Sequence, residues 1–129
     1  MKKYLVFIVL IFTVLTSCKS QENKIKNTTV ADLQKIIQTS KKTQVLDVRT
    51  PEECSQGIIK DAIMINVFAD DFDEIALKKL DKTMPVYIYC RSGRRSVAAS
   101  ERLKKQGFDV YNILGGYIDY QEFTSTKKQ

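Results

Sequence analysis

Apolar residues occur in two patterns along this chain, after a first apolar stretch that fits neither. Three short runs rich in β-branched residues predict buried strands at residues 43–48, 62–67 and 85–89, and a fourth strand is predicted at 110–114. The third run is almost continuously apolar. Such runs suit strands of a sheet that is covered on both faces.

Helical spacing of apolar residues appears between these strands. It predicts helices at residues 30–37, 70–80 and 96–106 and a last helix after Gly115 and Gly116, with a short helical turn at 51–53. Strands that alternate with helices predict an α/β domain. We expect a central, mostly parallel sheet of four to five strands, flanked by helices on both faces.

The first apolar stretch has the pattern of an export signal. Two lysines precede the apolar run at residues 5–15, and small residues follow before Cys18. The run is shorter than the about 20 apolar residues that a membrane span needs. Residues 15–18 (Leu-Thr-Ser-Cys) also resemble the lipobox of bacterial lipoproteins, which implies cleavage before Cys18 and lipid on that residue. The alternative is ordinary cleavage nearby, with a free thiol left behind.

This interpretation predicts a signal peptide at 1–17, a lipidated N-terminus and polar tether at 18–28, one domain at 29–124 and a polar tail at 125–129. It also predicts a lipid-anchored protein of the bacterial cell envelope, on the periplasmic or outer-membrane side. The lysine after Cys18, where some bacteria use aspartate to retain lipoproteins at the inner membrane, favours the outer membrane. We expect a monomer.

The basic charge is scattered except at one place. The chain has 21 basic and 15 acidic residues, and loss of the 2 lysines of the signal peptide leaves 21 − 2 = 19 against 15, or about +4. Only Arg91, Arg94 and Arg95 lie close together. General nucleic-acid binding would need a basic stripe with interleaved aromatic residues. Local attraction of an anion is the better use of this charge.

The absence of histidine narrows the chemistry further. With 0 histidines the chain has no Cys-His or Ser-His-Asp constellation, so a nucleophile must be activated in another way. If Cys18 carries lipid, Cys54 and Cys90 remain, and two cysteines without histidine make no zinc site. A disulfide between them is possible in an oxidising envelope. We predict no metal and no cofactor.

Cys90 lies directly after the predicted third strand, in the segment YCRSGRRS at 89–96. In open α/β sheets the functional crevice lies beyond the carboxyl ends of the strands. The loop can curl so that its N–H groups converge on one point, because Gly93 allows the necessary backbone conformation. The N-terminus of the following helix adds positive potential. This arrangement predicts a thiolate nucleophile that acts on an anion.

With these residues in view, the chain resembles the single-domain rhodaneses, which are sulfurtransferases. The resemblance is carried, in the family's order, by VLDVRTPEE at 45–53, GIIKDAIMIN at 57–66, PVYIYCRSGRRSVAASERLKKQGF at 85–108 and VYNILGGYIDY at 110–120. It implies the rhodanese-like fold and a persulfide cycle. Cys90 would take the outer sulfur of thiosulfate or a similar sulfane donor, release sulfite, and pass the sulfur to a thiol, cyanide or a protein acceptor.

The resemblance also implies roles for the residues around Cys90. Amides of the loop would hold the persulfide, and Arg91 and Arg95 would bind the oxyanion. Ser96 would supply a hydroxyl or cap the helix. The predicted substrate-binding residues are Arg91, Ser92, Gly93, Arg94, Arg95 and Ser96. Asp47 and Arg49, in the DVR segment, would organise the loop through an ion pair more than they would take part in catalysis.

The chain departs from the family's pattern at three places. Residues 57–62 lack the histidine and proline that are common there, which puts local geometry more than activity in doubt. Tyr120 stands where tryptophan is common. Cys54 stands where an aromatic residue is common. It could be a resolving thiol for Cys90, but a partly buried bystander is the favoured interpretation.

Three other functions stay open. A cysteine phosphatase or arsenate reductase would need five residues between cysteine and arginine, whereas Arg95 follows Cys90 after four, so loop length favours sulfur over phosphate. The chain could instead be a membrane-tethered binding module without activity. It could also be a redox protein or persulfide carrier that shares the persulfide intermediate. Thiosulfate, polysulfide and protein persulfides all fit as donors.

Overall fold

The computed structural model describes residues 24–128, so the predicted signal peptide, Cys18 and most of the predicted tether lie outside the described residues. No helix within this range is long and apolar enough to cross a membrane. The elements are β1 (Lys26–Thr28), α1 (Val30–Thr39), β2 (Gln44–Asp47), α2 (Pro51–Ser55), β3 (Ile63–Met64), α3 (Phe72–Lys79), β4 (Val86–Tyr89), α4 (Arg94–Lys105), β5 (Val110–Ile113) and α5 (Gly116–Thr126).

The five described strands form one parallel sheet in the order β1-β5-β4-β2-β3. β4 lies in the centre, between β5 and β2, and its Ile88 pairs with Leu46 on one side and Asn112 on the other. Because all strands run in one direction, their carboxyl ends meet at the same edge. The predicted α/β architecture, with five strands, is confirmed.

Helices cover both faces of the sheet. On one face α3 and α4 contribute Phe72 and Leu103 to a core that includes Leu46 and Ile88. On the other face α1 supplies Leu33, and aromatic residues of α5 pack at the edge of that core. Successive side chains of a strand point to opposite faces. Ile88 and, two residues later, Cys90 therefore both face α4, while Tyr87 and Tyr89 face the other layer.

The N-terminal edge strand was not predicted. Residues 26–28 were assigned to the tether, but all three pair with residues of β5. The segment is polar because it is a half-exposed edge strand, and its side chains make polar contacts: the Nζ atom of Lys26 lies 2.8 Å from Oδ1 of Asp109. The tether prediction is therefore wrong for this segment.

Two other boundaries differ from the prediction. The predicted strand at 62–67 is reduced to the two residues of β3, because the chain then leaves the regular ladder. It stays attached to β2 through single bonds, from Ile65 N to Asp47 O at 2.9 Å and from Val67 N to Val48 O at 3.2 Å. Helix α4 begins two residues before the predicted start, at Arg94.

Candidate functional site

Cys90 is buried in the loop between β4 and α4. The N–H of Gly93 donates to its Sγ atom at 3.0 Å, and the hydroxyl oxygen of Ser96 lies 3.5 Å from the same sulfur. Gly93 has a φ of +107°, a conformation that favours glycine, so the curl of the loop depends on it. Burial opposes ionisation of the thiol. Hydrogen bonds from the Ser96 side chain and from loop N–H groups outweigh burial and lower the pKa of Cys90.

The first turn of helix α5 donates two backbone hydrogen bonds to the Cys90 loop. The N–H of Tyr117 donates to the carbonyl of Cys90 at 2.9 Å, and the N–H of Ile118 donates to the carbonyl of Arg91 at 3.1 Å. The N–H of a trans peptide points opposite to its carbonyl. These two peptides therefore direct their N–H groups away from α5, and the second of these groups, the N–H of Ser92, hydrogen-bonds to the Cys90 sulfur. The N-terminus of α5 thus sets the orientation of the Cys90 loop.

The three arginines of the loop region differ in their surroundings. Arg95 donates to both carboxylate oxygens of Glu53, each at 2.7 Å, and both side chains are about one-quarter exposed. Arg91 and Arg94 are exposed and form no salt bridge within residues 24–128. The charge of Arg95 is thus balanced by a carboxylate, whereas the other two guanidiniums are free to meet an anion. The hydrogen bond to Glu53 raises the pKa of Arg95, and smaller contributions come from the charge of Cys90 and a hydrogen bond to it. The roles of Arg91 and Arg95 in binding the oxyanion stay predictions.

Asp47 and Arg49 form a buried ion pair. The Nη2 atom of Arg49 lies 2.7 Å from Oδ2 of Asp47 and also donates to the carbonyl of Gly57 at 2.7 Å. Burial by itself would lower the pKa of Arg49, but the hydrogen bond and charge of Asp47 raise it. The guanidinium lies 3.9 Å from the centre of the Tyr117 ring. The pair therefore connects β2 and the end of α2 to the residue that holds the Cys90 carbonyl.

Two site residues were not predicted from the sequence, Asn112 and Glu53. The hydroxyl of Ser96 donates to Oδ1 of Asn112 at 2.6 Å, and both residues are buried. The N-cap of α4 is Gly93, and Ser96 makes no capping bond, which contradicts the capping alternative for Ser96. The signal for Asn112 was an amide inside an apolar strand. The signal for Glu53 was its position three residues after Thr50, since the two form a capping box.

Cys54 occupies a different environment from Cys90. Both are free thiols in the described part of the chain, so the possible disulfide is not formed. Burial and the nearby carboxylate of Asp47 raise the pKa of Cys54 to about 11, so this thiol is protonated at neutral pH. Residues 24–128 contain no cluster of histidine, cysteine or acidic residues that could hold a metal ion. An apolar cleft of about 480 Å³ is lined by Arg49, Pro51, Cys54, Ser55, Ile58, Met64 and Asn66.

Replacing Glu53 by glutamine is expected to remove a pH-dependent part of the stability. Hydrogen bonds from Arg95 lower the pKa of Glu53 from 4.5 to about 2. The native pKa is below the unfolded one, so this contribution is fully present above about pH 4.5 and is lost as the pH falls towards 2. Screening limits it to about 0.5–1 kcal/mol. Glutamine can still form the capping box. Comparing denaturant unfolding of Glu53→Gln with that of the unmodified protein from pH 7 to pH 2 therefore measures what the charge of Glu53 contributes.

The matched control for this prediction is Glu74→Gln. Glu74 pairs with Lys78 at 2.6 Å, but both side chains are about two-thirds or more exposed. The free energy of unfolding of Glu74→Gln should equal that of the unmodified protein across the pH range. If Glu53→Gln and Glu74→Gln behave alike, the ion pair between Glu53 and Arg95 does not stabilise the site.

Comparison with known proteins agrees with this geometry. The rhodanese-like domain family matches residues 29–123. YtwF of Bacillus subtilis, named provisionally as a sulfurtransferase, is 33% identical over 104 residues, 81% of this chain and 98% of that protein. A sulfurtransferase of Allochromatium vinosum is 40% identical over 75 residues, 57% of this chain and 67% of that protein.

A solved structure shows the same fold. The crystal structure of a rhodanese-like domain protein from Staphylococcus aureus superimposes with a TM-score of 0.68 and 33% identity, covering 74% of this chain and 91% of that one. The family that the sequence resembles and the fold that it predicts are therefore confirmed. With its parallel five-stranded sheet and a cysteine loop at the end of the central strand, this chain belongs to the rhodanese-like domain family.

Proposed function

We propose that this protein is a sulfurtransferase that carries sulfane sulfur as a persulfide on Cys90. The observation that supports this most is the geometry at the Cys90 sulfur, which faces the N–H of Gly93 at 3.0 Å in a loop that follows the central strand. Relatives that are named sulfurtransferases support the same reaction class. The lipid anchor on Cys18, the envelope location and the monomeric state stay predictions from the sequence.

The proposed first half of the cycle uses the Cys90 thiolate as nucleophile. It attacks the outer sulfur of thiosulfate, a new S–S bond forms, and the old S–S bond breaks so that sulfite leaves with the electron pair. Loop N–H groups then stabilise the anionic persulfide, as an oxyanion hole stabilises developing charge. The exposed guanidiniums of Arg91 and Arg94 favour an anionic donor.

The proposed second half returns the enzyme to its starting state. A nucleophilic acceptor attacks the outer sulfur of the persulfide, the S–S bond to Cys90 breaks, and the thiolate is restored. Cyanide would leave as thiocyanate, and a thiol or protein thiol would leave as a persulfide. No external oxidant or reductant is required, because the same sulfur atom is bound, carried and released.

Cys90→Ser is expected to reduce transfer from thiosulfate to cyanide to the uncatalysed rate, because serine cannot form a persulfide. Sulfite release and thiocyanate formation measure the first and second halves of the cycle, and mass spectrometry should find one added sulfur on the unmodified protein but not on Cys90→Ser. Cys54→Ser, the matched control, should retain transfer, since its thiol is protonated at neutral pH.

Three outcomes would count against the proposal. Transfer that survives in Cys90→Ser would place the reaction elsewhere. Hydrolysis of a phosphate ester without sulfur transfer would favour the cysteine phosphatase alternative. A stable persulfide on Cys90 that no acceptor removes would favour a sulfur carrier instead of a transferase.

A further inference from the structure

A chain of three polar side chains leads from the Cys90 sulfur to the edge of the sheet. The hydroxyl oxygen of Ser96 lies 3.5 Å from Sγ and 2.6 Å from Oδ1 of Asn112. The amide nitrogen of Asn112 donates to Oδ1 of Asn27 at 3.1 Å. Ser96 and Asn112 are buried, whereas Asn27 on β1 is exposed. These hydrogen bonds therefore connect the buried sulfur of Cys90 to an amide that contacts solvent.

Ser96 has one proton for two acceptors. The Ser96 proton lowers the pKa of Cys90 only when it is directed to the sulfur. The shorter contact, to Asn112, competes for this proton, and when the proton is directed to Asn112 a lone pair of Ser96 faces the sulfur. This direction suits a thiol, whose S–H can donate to the hydroxyl oxygen. It does not suit a thiolate or persulfide anion, which needs the Ser96 O–H as a donor.

The chain of hydrogen bonds can run in the opposite direction without leaving a buried group unsatisfied. If the Asn112 amide turns by half a rotation, its NH₂ donates to Ser96 and its oxygen accepts from Asn27. The Ser96 proton is then directed to the sulfur. Asn27 can turn its own amide at little cost, because water satisfies it at the exposed edge. The fold thus allows two directions that differ in what they offer Cys90.

We propose that Asn112 is a positioning residue that acts through Ser96: its amide turns with the charge of the Cys90 sulfur, so that the Ser96 hydroxyl donates to the sulfur whenever it is anionic. This inference rests on the proposed function, in which that sulfur is anionic at rest and as the persulfide. No proton crosses the chain. The proton that Cys90 loses goes to solvent, and the side chains only change their direction of donation.

Other charges near Cys90 stay the same in every variant considered below. Arg91 lies in its loop, and α4 contributes Arg94 and the Arg95 guanidinium, which Glu53 of α2 balances. The buried pair of Asp47 and Arg49 and the carboxylate of Asp119 on α5, which lies beside Gly115, are also at this edge. Changes at residues 96 and 112 therefore report on the hydrogen-bond chain rather than on these groups.

The test is the pKa of Cys90, measured in a Cys54→Ser background by the pH dependence of iodoacetamide alkylation and of thiolate absorbance. Asn112→Asp offers only acceptors when ionised, so it retains the Ser96 proton and should raise the pKa of Cys90 by about one unit or more. Asn112→Leu removes both the oxygen and the NH₂ group of the amide and leaves Ser96 free to donate to the sulfur. In this variant the pKa of Cys90 should therefore rise by less than half as much. Ser96→Ala should raise the pKa by itself.

Double variants separate this effect from the added charge. In a Ser96→Ala background, Asn112→Asp should lose more than half of its effect, since only charge acting through space remains. The proposal is overturned if Asn112→Asp acts equally with and without the Ser96 hydroxyl. It is also overturned if Asn112→Leu raises the pKa as much as Asn112→Asp, which would indicate a merely structural role.

A second measurement needs no change at residue 112. In a ¹⁵N-labelled protein, the side-chain amide resonances of Asn112 should shift with the midpoint of the Cys90 titration, and Ser96→Ala should abolish that shift. Resonances that ignore the titration would overturn the proposal even if the Asn112 variants fail to fold. Neither readout needs a sulfur donor or acceptor, so failure of the proposed transfer activity would be seen separately.

Discussion

Replacing Arg49 by methionine is expected to lower the free energy of unfolding by about 3–5 kcal/mol. The Asp47 carboxylate is fully buried and would lose the guanidinium that balances it. The carbonyl of Gly57 would lose its donor as well. Removing one partner of a buried pair costs more than the pair contributes, because a charge is left without water or counter-ion. Urea unfolding at pH 7, with an unchanged m-value, measures the effect.

Two further variants test whether the loss in stability comes from leaving the buried Asp47 charge without a partner. Lys78→Met breaks the exposed pair with Glu74 and should leave the free energy of unfolding nearly unchanged. Changing Asp47 to leucine together with Arg49 to methionine removes both charges and should recover much of the loss, since an apolar pair of similar size is often tolerated. A small effect of Arg49→Met alone would show that the pair does not stabilise the fold.

The general architecture could be predicted because it depends on local patterns. Each buried strand is a short apolar run, and each long helix shows apolar residues at helical spacing. Those patterns predicted every element except β1 to within a few residues. β1 escaped because its three residues are polar. Its strand conformation depends on pairing with β5, which is more than 80 residues later in the chain.

The contacts of the site could be predicted only in part, for the same reason. Cys90 and the loop that follows it are contiguous, so their chemistry is visible in one segment. The partner of Arg95 is Glu53, 42 positions earlier in the chain, and no local pattern joins them. The sequence predicted Arg95 as an oxyanion ligand but gave no sign of the carboxylate that pairs with it. The hydroxyl role of Ser96 was one of two alternatives from the sequence. Its bond to Asn112 could not be predicted, because Asn112 lies on β5, 16 residues later in the chain.

Gly116→Ala is expected to remove most of the sulfur transfer. A Cβ at this position would contact the carbonyl oxygen of Cys90 and lie 2.7 Å from the carbonyl oxygen of Arg91. Both atoms are backbone, so neither can rotate aside and the loop itself must move. A displacement of about 1 Å in a catalytic group can cost about 100-fold in rate. We therefore expect a loss of that order in kcat for thiosulfate-to-cyanide transfer.

Gly107→Ala separates this contact from backbone strain. Gly107 also has a positive φ, +92° against +58° at Gly116, but an added Cβ would meet no atom within 4 Å. Both alanines therefore carry the cost of a left-handed conformation, on the order of 1 kcal/mol. Only the one at 116 displaces the loop. Gly107→Ala should be less stable but retain kcat when activity is measured at a temperature well below the midpoint of its thermal unfolding. If the two variants lose activity equally, the loss reflects stability, and the contact between α5 and the Cys90 loop does not position the sulfur.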